Sequence, residues 1–402
     1  MPKISTDKKL IEQFLNRGVE QIYPSKEELR KKLMSGERIK AYQGFDPTGP
    51  YLHIGHAMGI RALRILQQLG HEVIFLVGDF TAMIGDPDKE STRKILTNDQ
   101  IQKNMAGWKK QAEQIIDFRS KNPVRFERNS KWLSKLNLKE MLNLMSRTTV
   151  QQMIERDLFQ KRLQNNNPIG LHEFMYPLMQ AYDNISMNID LEIGGTDQTF
   201  NMLVGRQLMK NMLDKEKFVR TNEMMEAPEG RTMSKTKGNG INLSDSSQDI
   251  YGKAMSYPDE LVTKGLRLLT DVPREQILDI QNKMNDGANP MEYKKLMAYE
   301  ITKILKGEKE AKKAEEHFER TVQQGEITGE DTVPANIKGQ MSIFMFLKKV
   351  LENKESSSQI RRVIKQGGVE INSKKVIQPD VVIDFKEGDL IKFGKRTYFK
   401  IE

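Results

Sequence analysis

The chain of 402 residues is longer than one hydrophobic core usually supports, so we expect a large domain with one or two smaller ones. It contains no cysteine, which excludes disulfide bonds, thiolate metal sites and a cysteine nucleophile and fits a reducing compartment. Its first residues carry mixed charges without an apolar core, and no stretch of about 18 apolar residues follows. We therefore expect a cytoplasmic protein that is neither exported nor membrane-spanning.

The charge distribution favours a polyanionic partner. The formal net charge is +9, although lysine-rich surfaces also serve solubility alone. Residues 341–402 hold 13 Lys or Arg against 8 Asp or Glu, which is more than half of the total surplus. The tail is therefore a candidate nucleic-acid surface.

The first recognisable elements form a strand, helix, strand unit. Residues 38–45 are predicted to form a short strand, followed by a loop punctuated by proline and glycine. From Ile54 to Leu69 apolar residues recur at helical spacing, and Gly70 is a suitable terminator. Residues 73–77 are typical of a buried parallel strand. The pattern predicts an α/β fold with a Rossmann-like doubly wound parallel sheet, whose ligands bind at the carboxyl ends of the strands.

The rest of the chain predicts a catalytic sheet domain, a helical domain and a small α+β tail. Residues 99–190 are mostly helical by pattern, and a short strand at 191–193 ends in a glycine-rich turn. Residues 229–242 lack periodicity and are predicted to form a mobile loop. The expected organisation is a domain at 1–245 with a helical insertion at about 115–190, a helical domain at 246–322, a linker at 323–339 and the tail at 340–402.

Two histidines mark the start of the first helix as a candidate phosphate site. His53 and His56 share a face in the first helical turn, and Gly55 leaves room for a ligand near the backbone. Helix N-termini attract phosphate, and imidazoles there can donate hydrogen bonds to a phosphoryl group. Alone, the pair is more simply explained as two surface histidines. However, the chain has only five histidines, and Thr48 in the preceding turn could also reach a phosphate.

A basic loop is the second candidate. It holds Thr232-Met233-Ser234-Lys235-Thr236, with Arg231 and Lys237 on either side. Cations on a closing loop would neutralise the charge that develops on a leaving pyrophosphate. Taken alone, a solvated basic loop is the simpler interpretation.

Together the two segments resemble the HIGH and KMSKS signatures of class I aminoacyl-tRNA synthetases, in the order of that family. The stretches at 176–183 (Tyr-Pro-Leu-Met-Gln-Ala-Tyr-Asp) and 194–198 (Gly-Gly-Thr-Asp-Gln) look like the amino-acid pocket and ribose-binding motifs of tyrosyl-tRNA synthetases. The tail, from Ser356 through 394–396, is similar to the RNA-binding domain named after small-subunit ribosomal protein four, which bacterial-type members carry. The resemblance extends from about residue 40 onward.

The resemblance implies a complete activity. The enzyme would activate tyrosine with ATP to tyrosyl-adenylate and pyrophosphate, and then transfer the tyrosyl group to the 3′-terminal ribose of its tRNA. Magnesium would be bound with ATP, without a dedicated protein metal site. A homodimer is implied, with the helical insertion as the contact, and the helical domain would bind the anticodon.

The resemblance also assigns site residues by role. The residues expected to act on the phosphoryl groups are Thr48, His53, His56, Lys235 and Thr236. Those expected to bind tyrosine are Tyr42, Asp86, Tyr176, Gln180, Asp183 and Gln198. Those expected to bind ATP are Asp46, Gly55, Gly195, Asp197, Met233, Ser234 and Lys235. Those expected to bind tRNA are Arg361, Arg362, Lys365, Lys395 and Arg396.

Two departures from the family pattern leave alternatives open. Thr232 stands where the family has the first lysine of its basic loop, and Asp88-Lys89-Glu90 replaces a small glycine-containing turn. A tryptophanyl enzyme is the nearest alternative, but Asp183 and the basic tail argue against it. Because of Thr232, an RNA-binding or regulatory protein that has lost catalysis is the alternative from a different class.

Overall fold

A computed structural model describes residues 3–85, 96–225, 240–324, 332–352, 355–394 and 397–402. The chain divides into two compact units, residues 1–315 and 316–402. Within the described residues, no helix combines the length and hydropathy that a bilayer crossing requires.

The first unit is built on a mixed sheet, which has six strands among the described residues. The strands are β1 (Val19–Tyr23), β2 (Lys40–Phe45), β3 (Glu72–Val77), β4 (Arg125–Arg128), β5 (Leu191–Gly195) and β6 (Phe218–Asn222). Their order is β1-β6-β5-β2-β3-β4, with β1 antiparallel to β6 and the other neighbours parallel. This confirms the predicted doubly wound sheet.

Helices cover both faces of this sheet or extend beyond it. They are α1 (Lys8–Asn16), α2 (Lys26–Met34), α3 (Ile54–Gln68), α4 (Thr81–Ile84), α5 (Asn98–Met105), α6 (Trp108–Ala112), α7 (Ser130–Leu133), α8 (Leu138–Met145), α9 (Val150–Ile154), α10 (Asp157–Gln164), α11 (Met175–Met187), α12 (Thr199–Leu213), α13 (Ser247–Met255), α14 (Val262–Leu269), α15 (Arg274–Asn285), α16 (Pro290–Lys306) and α17 (Glu308–Phe318).

The unit β2-α3-β3 follows the local sequence closely. Helix α3 buries its apolar face, and Gly70 takes a φ of +90° beyond its end, a conformation that a side chain would disfavour. Strand β3 is buried at every position after the first, because neighbours pair with it on both edges and helices cover the sheet. The chain then adds β4 on one side of β2 and later β5 and β6 on the other, which creates a switch point between β2 and β5.

Strand β4 interrupts the region that the sequence predicts as mostly helical. It has four residues, three of them charged and none of them buried, and it pairs with β3 at the edge of the sheet. A charged edge strand of this length carries little periodicity of its own. Its formation depends on the neighbouring strand.

Helices α13 to α17 belong to the same compact unit as the sheet, apart from the last residues of α17. Arg61 of α3 is buried and donates to the carbonyl oxygen of Leu268 at 3.0 Å, near the end of α14. A cation at this position satisfies carbonyl groups that a helix end leaves unpaired. The helical segment thus begins where the sequence predicts, while its independence as a domain at 246–322 stays a prediction.

The second unit is an α+β fold. Its elements are β7 (Thr332–Ala335), β8 (Gly339–Ser342), α18 (Ile343–Val350), α19 (Ser357–Lys365), β9 (Val369–Ile371), β10 (Lys374–Lys375), β11 (Val382–Phe385), β12 (Leu390–Phe393) and β13 (Thr397–Ile401). One described sheet has the order β10-β9-β12-β13-β7, and β8 pairs with β11. Its core includes Phe346, whose ring stacks on that of Phe385 at 4.4 Å.

The segment predicted as a linker, residues 323–339, contains strand β7. This strand pairs in parallel with β13 at the opposite end of the unit. Glycine and proline near 334 favour an irregular chain locally, but the non-local pairing orders this part of the segment.

We expect His71 to make the protein sensitive to acid. Burial, followed by the charge of Arg38, lowers the pKa of His71 to about 4 from 6.5. The folded state thus keeps the ring neutral while the unfolded chain takes up a proton, so stability is full above pH 6.5 and is lost as the pH falls towards 4. The loss should reach on the order of 3 kcal/mol.

Urea unfolding of the His71→Gln variant between pH 7.5 and 4 tests this. The glutamine amide oxygen can replace Nδ1 as acceptor for the backbone N–H of Ile39. The variant should lose less stability on acidification than the parent, whereas the more accessible His317→Gln should behave like the parent. Equal pH slopes for His71→Gln and the parent would contradict the prediction.

Candidate active site

A cavity of about 610 Å³ opens at the carboxyl ends of β2 and β5, within the size range of small-molecule sites. It lies at the switch point of the sheet, where ligands of doubly wound folds bind. The structure brings together on its wall all the predicted site residues that it describes in the first unit. They are Tyr42, Asp46, Thr48, His53, Gly55, His56, Tyr176, Gln180, Asp183, Gly195, Asp197 and Gln198.

The remaining predicted residues of this site lie outside the described residues. They are Asp86, Met233, Ser234, Lys235 and Thr236, and Thr232 lies outside with them. The described chain before residues 226–239 reaches the cavity, where Met224 and Met225 line it. On the other side, the N–H of Ile54 donates to Ile241 O and the N–H of Leu243 donates to Leu52 O, each at 2.8 Å.

His53 and His56 lie at the start of α3 with their ring centroids 3.8 Å apart. The backbone N–H of His53 donates to Nδ1 of His56 at 2.9 Å. A neutral imidazole that accepts at Nδ1 carries its proton on Nε2. The fold thereby selects the tautomer of His56 whose outer nitrogen can donate to a phosphoryl oxygen.

Side chains from α5 and α6 brace the loop that precedes these histidines. Asn104 donates to the carbonyl oxygen of Pro47 at 2.8 Å. Gln111 accepts from the N–H of Leu52 at 2.8 Å and donates to Pro50 O at 3.0 Å. These contacts hold the loop without a regular strand or helix, so that its position is set before a ligand binds.

Asp46, at the end of β2, accepts hydrogen bonds from two other side chains of the cavity wall. One carboxylate oxygen accepts from the hydroxyl of Thr81 at 2.7 Å and the other from the hydroxyl of Tyr176 at 2.9 Å. A Cβ at Gly78 would lie 2.0 Å from the first oxygen, so glycine is required for this close approach. The carboxylate therefore orients Tyr176, a predicted tyrosine-binding residue, besides facing the cavity.

Asp183 belongs to the buried part of the cavity wall, which we call the floor. Trp132 Nε1 donates to one of its oxygens at 2.7 Å, and Asn129 Nδ2 donates to the other at 3.2 Å. Burial raises the pKa of Asp183 well above its usual range, although both donors favour the charged form. Asp183 has further lone pairs and is shielded from water. It therefore favours a ligand that donates a hydroxyl proton.

Tyr42 and Gln180 both donate to Glu192 on β5. The Tyr42 hydroxyl and Gln180 Nε2, the latter at 2.9 Å, share the same carboxylate oxygen. The other oxygen forms an ion pair with Lys217, which is fully buried. Burial, together with the charges of Glu192 and Asp183, raises the pKa of Tyr42 well above 10, so its phenol keeps its proton.

The opposite end of the cavity presents polar groups at the end of β5. A Cβ at Gly195 would meet an oxygen of Asp197 at 2.3 Å, so only glycine allows this carboxylate to approach the strand so closely. Gln198 donates to Asp197 at 3.1 Å and accepts from Asn201 at 3.0 Å. A carboxylate beside a glycine turn is suited to ribose hydroxyls.

The sequence analysis missed several residues that shape the floor. They are Thr81, Asn129, Trp132, Glu192 and Lys217. Two of them carried a signal: Trp132 is one of only two tryptophans, and Glu192 is a charge inside a predicted short strand. The others are ordinary polar residues whose place depends on the tertiary fold.

The predicted tRNA-binding residues that the structure describes lie on α19 of the second unit. The guanidinium of Arg361 lies over the Phe344 ring at 4.0 Å and pairs with Asp380 at 3.4 Å. Arg362 and Lys365 are exposed. Lys395 and Arg396 lie outside the described residues.

Comparison with known proteins identifies close relatives. Residues 34–323 match the family of class I tRNA synthetases for W and Y, that is, tryptophan and tyrosine. A tyrosine–tRNA ligase of Dehalococcoides mccartyi is 40% identical over 395 residues, covering 97% of this chain and 98% of that protein. One of Thermotoga maritima is 39% identical over 380 residues, covering 94% of each.

A solved structure is also similar. The C-terminally truncated mitochondrial tyrosyl-tRNA synthetase of Aspergillus nidulans matches with a TM-score of 0.65 at 25% identity, over 77% of this chain and 92% of that one.

Proposed function

This chain belongs to the class I tRNA synthetases for tryptophan and tyrosine and ligates tyrosine to tRNA, and we propose that it forms tyrosyl-adenylate in the cavity between β2 and β5. The observation that carries the proposal is the convergence in one cavity of the histidines of α3 and the buried acceptor Asp183. The histidines can bind phosphoryl oxygens, and Asp183 selects a phenol.

The tyrosine side chain lies towards the floor of the cavity. Its hydroxyl donates to Asp183 and lies near Tyr42, while Tyr176 and Gln180 hold its ammonium group and Gln198 its carboxylate end. Asp86 contributes to the ammonium by family resemblance. Phenylalanine is rejected because it lacks a hydroxyl for the lone pairs of buried Asp183 that Trp132 and Asn129 do not occupy.

The activation step needs positioning and charge stabilisation. The carboxylate of tyrosine is already ionised near neutral pH, so one of its oxygens attacks the α-phosphorus of ATP without a general base. A carboxyl–phosphorus bond forms as the bond to pyrophosphate breaks. Thr48, His53 and His56 stabilise the charge on the phosphoryl oxygens, and Lys235 with Thr236 follow the pyrophosphate.

ATP occupies the remaining half of the cavity. Asp197 binds the ribose hydroxyls beside Gly195, Asp46 faces the nucleotide at the end of β2, and Gly55 allows the phosphates to approach α3. Met233 and Ser234 complete the ATP site by family resemblance.

Magnesium enters with the ATP phosphates. Among the described residues, no group of three or more His, Asp or Glu side chains could hold a metal ion by itself. Bound with ATP, the ion would offset the negative charge of the phosphate oxygens. Dependence of adenylate formation on added Mg²⁺, measured in the presence of a chelator, tests this.

The tail and the helical segment bind the tRNA. Arg362 and Lys365 present two adjacent exposed cations on α19, and Lys395 and Arg396 add to them by resemblance. The helices that follow residue 246 bind the anticodon. The terminal ribose hydroxyl of the tRNA then attacks the carbonyl carbon of the adenylate and releases AMP.

A second copy of the chain packs against the helical insertion. Leu138, Leu142 and Met145 are exposed at helical spacing on α8, and Val150 and Leu171 lie exposed nearby in sequence. Leu171 leaves 84% of its surface accessible, which is unusual for so large an apolar side chain. Such a surface favours a homodimer contact.

The enzyme works in the cytoplasm, where cell fractionation should recover it.

Pyrophosphate exchange tests the activity and the roles of the histidines. The parent should exchange pyrophosphate into ATP with tyrosine, and His53→Ala or His56→Ala should lower the exchange rate about 10²–10³-fold. Tyrosine binding should change little, because these side chains act in the transition state. His317→Ala serves as the control.

Each contrary result has its own meaning. Exchange with tryptophan and not tyrosine would overturn the amino-acid assignment. Equal loss of binding and rate in the histidine variants would overturn their role. A parent protein that binds tRNA and forms no adenylate would be the regulatory protein that Thr232 leaves open.

The double variant Arg362→Ala, Lys365→Ala tests the tail. It should weaken tRNA binding and flatten the slope of log affinity against log salt by about 0.7–0.9 for each phosphate that the protein no longer neutralises. Lys338→Ala, which removes an exposed lysine paired with Glu387 in the same unit, should leave the slope unchanged. An unchanged slope in the double variant would contradict the proposal.

Sedimentation velocity tests the dimer. The Leu142→Glu variant should sediment as a monomer at micromolar concentration, since it places charges across the apolar stripe of α8. Leu278→Glu alters a similarly exposed leucine on α15 and should leave the oligomer intact. A dimeric Leu142→Glu variant would place the contact elsewhere. A monomeric parent would contradict the homodimer itself.

A further inference from the structure

The Glu192–Lys217 ion pair lies beneath the cavity and has no place in the roles assigned above. Lys217 precedes β6 and is fully buried, and its ammonium contacts Glu192. It also donates to Asn184 Oδ1 and to the carbonyl oxygen of Met202, each at 3.0 Å. An ammonium has three donors, so each of them has an acceptor.

Three elements of the fold leave space for this ammonium. Glu192 lies on β5, Asn184 on α11 and Met202 on α12. A Cβ at Gly205 of α12 would lie 2.9 Å from Nζ of Lys217 and 2.9 Å from Nδ2 of Asn184. The glycine therefore makes room for the ammonium and for the amide that receives it.

Stability alone gives no reason for such a pair. Removing two charges from water is costly, and an apolar pair of similar volume is often at least as stable. The contacts of the carboxylate supply another reason. Its second oxygen accepts hydrogen bonds from Tyr42 and Gln180, two side chains on the cavity wall.

A carboxylate that only accepts hydrogen bonds dictates how both neighbours are oriented. Tyr42 must turn its one hydroxyl proton towards Glu192, so it offers lone pairs to the cavity. Gln180 must turn its NH₂ towards Glu192, so its carbonyl oxygen is the end left for an ammonium group. A neutral partner would allow either orientation of both groups.

We propose that Lys217 is a positioning residue for amino-acid recognition, which holds Glu192 as a charged acceptor and so fixes the hydrogen-bonding direction of Tyr42 and Gln180. This inference rests on the proposed tyrosine activation. Because Tyr42 gives its proton to Glu192, the lone pairs of Asp183 that Trp132 and Asn129 do not occupy are left for the hydroxyl of the substrate. Loss of the pair lets Tyr42 donate to Asp183 and lets Gln180 turn its NH₂ towards the substrate ammonium.

The experiment compares tyrosine with phenylalanine in pyrophosphate exchange. The variants are Glu192→Gln, which keeps the side-chain volume, and Lys217→Met combined with Glu192→Gln, which removes both charges. Each should raise KM for tyrosine at least about 10-fold and lower the ratio of kcat/KM for tyrosine over phenylalanine at least about 10-fold. KM for ATP should stay within about 2-fold.

Two further variants refine the comparison. Gly205→Ala crowds the ammonium without removing a charge, so it should shift KM and the ratio in the same direction by less. Lys215→Met makes the same substitution as Lys217→Met two positions earlier, where the lysine pairs with Asp190 at the surface. Lys215→Met should match the parent both in KM for tyrosine and in the ratio of kcat/KM for tyrosine over phenylalanine.

A merely structural role predicts a different result. Thermal stability would then fall and the rates for both amino acids would fall in proportion, with an unchanged ratio and an unchanged KM for tyrosine, and this would overturn the inference. Lys217→Met alone could prevent folding by leaving a buried carboxylate unpaired, which is why the charge-neutral variants carry the test. A parent without tyrosine-dependent exchange would refute the proposed function itself, whereas an active parent with insensitive variants would refute only the positioning role.

Discussion

The parallel pairing of β2 with β5 is the constraint on which the rest of the site depends. It sets Tyr42 opposite Glu192, across 150 residues of sequence, at the point where the chain changes the side on which it adds strands. Side chains that follow the two strands therefore meet at one edge of the sheet. The histidines of α3, the turn after β5 that is proposed to bind ribose and the polar floor owe their proximity to this pairing.

The floor of the cavity buries two carboxylates, Asp183 and Glu192, each of which has protein donors on both oxygens. Asp183 and Glu192 are each less than 5% exposed, and Lys217 is fully buried. Asp183 accepts one hydrogen bond on each oxygen, so it has lone pairs left that a ligand hydroxyl can occupy in place of water. The groups proposed to make the floor selective for a phenol are thus among those that are most costly to bury. Lys217 offsets part of this cost by pairing with Glu192.

Helix α3 joins the phosphate end of the cavity to the helical segment of the same unit. Its first turn carries His53 and His56, and two turns later Arg61 contacts the end of α14. A helix that is buried along most of its length transmits displacement as a rigid element. The residues proposed to contact phosphate are therefore mechanically continuous with the part of the chain proposed to bind the anticodon.

From sequence alone, local patterns determined the β2-α3-β3 unit, the strand at 191–193, the later helices and the motifs that point to ATP and tyrosine. These features were readable because periodicity, glycine placement and short motifs are properties of neighbouring residues. The basic tail was also visible as a charge surplus. Strands β4 and β7 were decided only by the tertiary structure, since each forms against a partner distant in sequence. The same holds for the contacts of Asn129 and Trp132 with Asp183 and for the pairing of Glu192 with Lys217. Such residues are ordinary along the chain and acquire their role only where the fold removes them from water and gives them one particular neighbour.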